Sequence, residues 1–137
     1  MSNANKRHEI LIEGLTPDEV LALPEEYFAA LASAGPVVFK AGSAEILGQL
    51  HLWPGRMMIE LAQVDGGGEG ALPTLSVLVE RLARQRRIPE VEWVVHAINC
   101  AAPNLKLRRV LVKRGFVARD IEGIGSAYHW RQSIGST

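Results

Sequence analysis

The sequence lacks the features of several protein classes. It has one cysteine, Cys100, so no internal disulfide can form, and a reducing, cytoplasmic setting is the expectation. No apolar run approaches the ~18 residues of a membrane span. The N-terminus carries Lys6 and Arg7 but no apolar stretch of a signal peptide's length follows them, since Glu13 interrupts it, and no signal peptide is expected. Four scattered histidines and the lone cysteine show no metal-ligand spacing, so no metal is expected. Excess charge is missing too: 15 basic and 15 acidic side chains cancel. A sequence pI of 6.9 falls well short of the value above ~9 typical of nucleic-acid-binding domains.

What is present fits one globular domain. The 137 residues are 47% hydrophobic and 22% charged, an ordinary composition that excludes collagen, a disordered tail and a disulfide scaffold. A chain of this length buries about two thirds of its unfolded surface and needs no covalent staple. Residues 1–7 read as a disordered or tag-like N-terminus, and 8–134 as a single domain. The balanced charge is unevenly spread: residues 1–75 hold ten acids and four bases, and 76–137 hold eleven bases and five acids. Such asymmetry points either to an anionic ligand on the second half or to two solvated basic helices.

Periodicity orders the elements. Residues 8–13 alternate as a short strand. Thr16-Pro17-Asp18-Glu19 reads as a capped helix start, with Thr16 as N-cap, Pro17 at the first helical position and Glu19 closing a capping box. Pro24 restarts the helix, and Gly35-Pro36 ends it. Strands are expected at 36–41, 44–53 and 57–64, with Pro54-Gly55 as the turn between the last two. Leu75, Leu78, Val79 and Leu82 form one helical stripe within 72–87. The nearly continuous apolar run 91–98 suits a strand covered on both faces. A helix over 105–114, capped by Asn104 and ended by Gly115, precedes a strand, a turn at 122–126 and a last strand at 128–134. Strands and helices in this order predict an α/β fold: a mixed, mainly antiparallel sheet of six to seven strands in a three-layer domain, with helices on both faces.

Between the fourth strand and the next helix, Asp65-Gly66-Gly67-Gly68-Glu69-Gly70 places four glycines in six residues. There, backbone amides can converge on one concavity at the positive end of a helix, where a phosphate or pyrophosphate fits. The plainer alternative is a flexible turn. No Gly-Lys-Ser/Thr follows, and the spacing is not G-x-G-x-x-G, so neither a P-loop nor a dinucleotide fingerprint is present.

With this strand order and the segment Asn-Leu-Lys-Leu-Arg-Arg-Val-Leu-Val-Lys-Arg-Gly-Phe at 104–116, the chain resembles the GNAT superfamily of acyl-CoA-dependent N-acyltransferases. The resemblance covers residues 8–134 and is strongest over 57–116. It implies a loop of the form Q/R-x-x-G-x-G/A, set on Gly67, Gly68, Glu69, Gly70, Ala71 and Leu72, whose amides wrap the pyrophosphate of coenzyme A. Gly70 keeps the central glycine, while Gly67 replaces the leading Gln/Arg and Leu72 the final small residue. The resemblance also implies that the strands at 57–64 and 91–98 splay apart to admit pantetheine. Backbone at Ala62 and Val64 would pair with it, and Asn99 or Asn104 would bond from the other side. Arg84, Arg87, Lys106 and Arg108 are candidates for the adenosine 3′-phosphate, or ordinary solvated charges.

Acyl transfer to an amine requires removal of an ammonium proton, a donor to the thioester carbonyl and a proton for the leaving thiolate. The Val64 N–H is the candidate donor. Period-two alternation sets Glu60 with Met58, Ala62 and Val64, which makes it the candidate base, with burial expected to raise its pKa. The alternatives are an ordinary rim carboxylate at Glu60, with His51 or His96 as base. The family's general-acid Tyr position is Leu111 here, so Tyr128 on the last strand is the substitute candidate; Cys100 is expected to be inert. The expected activity moves an acetyl group from acetyl-CoA to a primary amine of a small molecule or protein, with the acidic first half attracting a cationic acceptor and a homodimer as a possible assembly. The alternative is a catalytically degenerate GNAT-like domain that binds coenzyme A, nucleic acid or a protein partner without turnover.

Overall fold

A computed structural model describes residues 10–41, 44–65, 72–97 and 105–135. The N-terminus assigned to 1–7, the loop residues Gly67, Gly68, Gly70 and Ala71, and Asn99, Cys100 and Asn104 lie outside the described residues. The elements run β1 (Ile10–Ile12), α1 (Pro17–Leu21), α2 (Glu25–Ser33), β2 (Val37–Ala41), β3 (Ala44–Trp53), β4 (Arg56–Asp65), α3 (Leu72–Gln85), β5 (Glu90–Val95), α4 (Leu105–Lys113), β6 (Val117–Ile121) and β7 (Gly125–Ser133). Among the described residues no helix is long and apolar enough to cross a membrane.

Local chemistry explains the boundaries. The Thr16 side chain accepts from the Glu19 N–H at 3.2 Å, and Glu19 Oε1 accepts from the Thr16 N–H at 2.9 Å, completing the expected capping box. In α3 the stripe Leu75, Leu78, Val79 and Leu82 is buried. Gly115 ends α4 at φ 100°, a conformation that costs glycine little.

The seven strands form one sheet in the order β1-β2-β3-β4-β5-β7-β6. Only β4 and β5 pair in parallel; the other neighbours are antiparallel. Helix α3 links β4 to β5, and α4 links β5 to β6. Both crossovers move the same way across the sheet, so right-handed connection brings both helices to one face. Burial agrees: Met57, Ile59 and Leu61 of β4, Trp93 of β5 and Phe39 of β2 join one apolar cluster with Val20, Phe28, Leu75 and Leu111 from the four helices. The layering is therefore simpler than expected, because among the described residues the helices share a single face. Strand β5 is buried from Val91 to Val95 all the same. On its second face the cover comes from polar side chains of the neighbouring strands.

A register shift interrupts the β3–β4 ladder: Leu47 faces Gln63 and Gly48 faces Leu61, leaving Ala62 as the extra residue of a bulge. Val64 consequently pairs with Ile46 in the β3–β4 register. Pairing of β4 with β5 ends at Leu61 and Val95, followed by one bond from the His96 N–H to the Leu61 carbonyl at 2.9 Å. Strand β4 runs on to Asp65, past the last β4–β5 pair among the described residues.

Candidate functional site

Glu60 sits one residue before the last β4–β5 pair, on the sheet face turned away from the helices. His51 comes from the neighbouring β3 and His96 from the end of β5. An ionised carboxylate can only accept, so each imidazole donates: His51 Nε2 to Oε1 at 3.0 Å and His96 Nε2 to Oε2 at 2.8 Å. The three groups are partly buried, with 23% of the Glu60 side chain exposed. Three residues proposed separately from sequence thus meet in one cluster. The His51 ring also stacks on Trp53, with centroids 5.8 Å apart and planes 9° from parallel.

The charge state of Glu60 corrects the expectation. Burial alone acts to raise its pKa and is the largest single influence. The bonds from His96 and His51, reinforced by their charge, outweigh it, and the carboxyl titrates below its ordinary 4.5. Glu60 is therefore an ionised acceptor that aligns two imidazoles. In their neutral forms the Nε2–H points at the carboxylate and the lone pair lies on Nδ1.

The remaining predicted residues fall in different places. Ala62 is exposed at the bulge, and Val64 lies just beyond it on β4. Leu72 is buried at the start of α3, so only its backbone can serve a ligand there. Tyr128 pairs with Val95 and packs against the helical core, on the face opposite Glu60. Leu111, where the family's general-acid Tyr would stand, is fully buried. Arg84 and Arg87 line a cavity of 470 Å³ with Ile88, Pro89 and Ile134. That cavity lies about 18 Å from the helix N-terminus at 1.5 Å per residue. Lys106 and Arg108 open α4, and Arg108 Nε donates to the Ala97 carbonyl at 2.6 Å, tying the helix to the end of β5.

A second polar cluster on the same face escaped sequence reasoning. Glu92 is 7% and His129 is 9% exposed. Glu92 accepts from Arg56 Nη1 at 3.0 Å and from His129 Nε2 at 2.9 Å, with Arg131 Nη2 at 4.0 Å. Arg56 in turn lies 4.3 Å over the Trp53 ring. Burial, the strongest single influence, acts to raise the Glu92 pKa, but His129 and the two guanidinium groups lower it more. The signal was an acid inside an otherwise apolar strand, Val91-Glu92-Trp93.

The chain resembles GNAT acetyltransferases of solved structure. The PaiA N-acetyltransferase of Thermoplasma acidophilum, in complex with coenzyme A, gives a TM-score of 0.44 at 16% identity over 90% of this chain and 98% of that one. Arabidopsis thaliana Naa50, in complex with a bisubstrate analogue, gives 0.42 at 17% identity over 82% of each chain. Ard1 from Thermoplasma volcanium gives 0.40 at 14% identity, covering 93% of this chain and 99% of that one. No protein-family model and no curated sequence matches the chain.

Proposed function

We propose that the protein is an acyl-CoA-dependent N-acyltransferase, moving an acetyl group from acetyl-CoA to a primary amine of a small molecule or protein. The observation that carries this reading is the Glu60–His51–His96 cluster at the last described β4–β5 pairs. Beyond Leu61, β4 has no β5 partner among the described residues. Backbone along such a strand edge suits an extended amide-containing ligand, which is the form coenzyme A's pantetheine takes. Ala62 and Val64 would hold the pantetheine, and the glycine loop the pyrophosphate. When bound, the cofactor supplies the acyl group as a thioester.

The chain's own residues then handle protons. An ammonium entering beside Glu60 meets a negative carboxylate and two imidazoles. Glu60 holds the imidazoles with Nε2–H inward, so Nδ1 of His51 receives the amine proton, and the carboxylate stabilises the imidazolium formed. With acetyl-CoA bound, the neutral amine would form its C–N bond to the acyl carbon as the C–S bond breaks, and the second amine proton would pass to the departing thiolate, leaving amide and free coenzyme A.

Kinetics of the full chain with acetyl-CoA and an amine panel tests this. Glu60→Gln is expected to lower kcat by roughly 10²–10⁴-fold, the ordinary worth of a positioned base system. Coenzyme A affinity should stay within twofold. Wild-type turnover in the variant removes Glu60 from the mechanism. If the wild type binds coenzyme A but acylates no amine, the non-catalytic binding domain replaces the enzyme reading. Its support is the replaced loop positions and the buried Leu111.

A further inference from the structure

On the sheet face that carries Glu60, β6 and β7 enclose an open cleft of 390 Å³ lined by Gly115, Val117, Arg119, His129, Trp130 and Arg131. Two of its groups are guanidinium ions, but they are not equivalent. Arg131 Nε is held by Glu90 at 2.9 Å and its Nη2 lies 4.0 Å from Glu92. Arg119 has no carboxylate within ion-pair distance among the described residues; its contact is Nη1 to His129 Nδ1 at 3.4 Å.

That contact defines the histidine. Arginine cannot accept, so Nδ1 of His129 is the acceptor and its proton is on Nε2, which donates to Glu92 at 2.9 Å. Glu92 is fixed in turn by Arg56. A nearly buried Glu–His pair thus presents His129 Nδ1 to Arg119, and no carboxylate among the described residues compensates the guanidinium at the rim of the cleft. Planar guanidinium groups bind carboxylate and phosphate oxygens in pairs. We infer that this cleft is an oxyanion subsite in which Arg119, assisted by Arg131, receives a carboxylate or phosphate.

Its position suggests what the anion belongs to. Glu60, Val94 and His129 are register partners in one row across β4, β5 and β7. Two interstrand spacings separate Glu60 from His129, about 10 Å. An extended acceptor can present an amine at Glu60 and an anionic group at Arg119 together. This assignment of the acceptor class rests on the acyltransferase reading above; the anion subsite itself does not.

Calorimetric titration of the full chain with inorganic phosphate and, separately, with succinate tests the subsite and distinguishes the two oxyanions. Saturable binding of at least one is expected, weakened tenfold or more in Arg119→Gln. It should be unchanged in Lys40→Gln, which removes a cation on the same face already paired with Glu45. No saturable binding, or equal binding in Arg119→Gln, overturns the subsite. For the acceptor class, kcat/KM is compared for primary amines of equal length with and without a terminal carboxylate. A preference of tenfold or more for the carboxylate, lost through KM in Arg119→Gln, supports the assignment. Acylation without that preference overturns it while leaving the enzyme reading intact. If no amine is acylated, the acceptor assignment falls with the enzyme reading, and the titrations still decide the subsite.

Discussion

A carboxylate that accepts several charge-assisted hydrogen bonds keeps its charge in acid strong enough to neutralise an isolated one. Glu92 is the clearer case, because it is nearly buried and touched by His129 and Arg56. Its folded pKa lies below 4.5, so its contribution to stability is fully present above about that pH and is lost as pH falls through the lower folded value. Glu92→Gln is therefore expected to cost about 1–3 kcal/mol at neutral pH. Denaturant melts at pH 7 and near pH 3 should show the gap to wild type narrowing in acid; a gap that does not change with pH would contradict the pairing. Glu60 obeys the same sign, with its lowered pKa owed to two histidines. A rising limb of a pH–rate profile in the neutral range consequently does not report Glu60. Singly replacing His51 and His96 by Gln, with kcat read for each variant, separates their shares in proton transfer.

Among the elements, the β3–β4 pair determines where the site opens, and Gly48 is its hinge. A Cβ built there would lie 2.9 Å from the Glu60 carbonyl oxygen, from Leu61 Cδ2 and from Phe39 Cε2. Backbone cannot yield as a flexible side chain does, so Gly48→Ala should destabilise the domain by about 1–3 kcal/mol. It also stands opposite Leu61, beside the bulged Ala62. Loss of activity beyond the loss of folded protein is expected, checked by kcat per folded molecule alongside the denaturation midpoint. Wild-type stability in the variant would mean that the close approach is relieved by a small strand shift. Helical periodicity, the capping box and Gly115 were legible in sequence because each depends on contacts a few residues apart. The bulge was not, because simple alternation carries no sign of where the partner strand slips.

At the scale of the whole molecule, coenzyme A is expected to stabilise the fold by mass action. At a hundred times Kd the gain is about 2.7 kcal/mol, read as a rise in Tm with ligand concentration. Replacing Gly70 by a bulky residue should abolish that rise if loop amides approach the pyrophosphate. An undiminished rise would place the phosphates elsewhere. The one-sided arrangement of helices gives such a ligand and its acceptor different surroundings. One face of the sheet is packed with apolar side chains, and the other displays Glu60, Glu92 and three histidines.

The sequence by itself determined the element order, the parallel β4–β5 neighbours, the Thr16–Glu19 capping box and the Gly115 helix stop. Those features follow from local propensity, period and handedness, which act over short stretches of chain or through a general rule of connection. Tertiary structure alone decided that His51 and His96 share Glu60, that Tyr128 faces away from it and that the β3–β4 ladder slips at Ala62. It also decided that burial of Glu60 ends in a lowered pKa. Each of these depends on which strands lie side by side and in what register, and a shift of one residue moves a side chain to the opposite face.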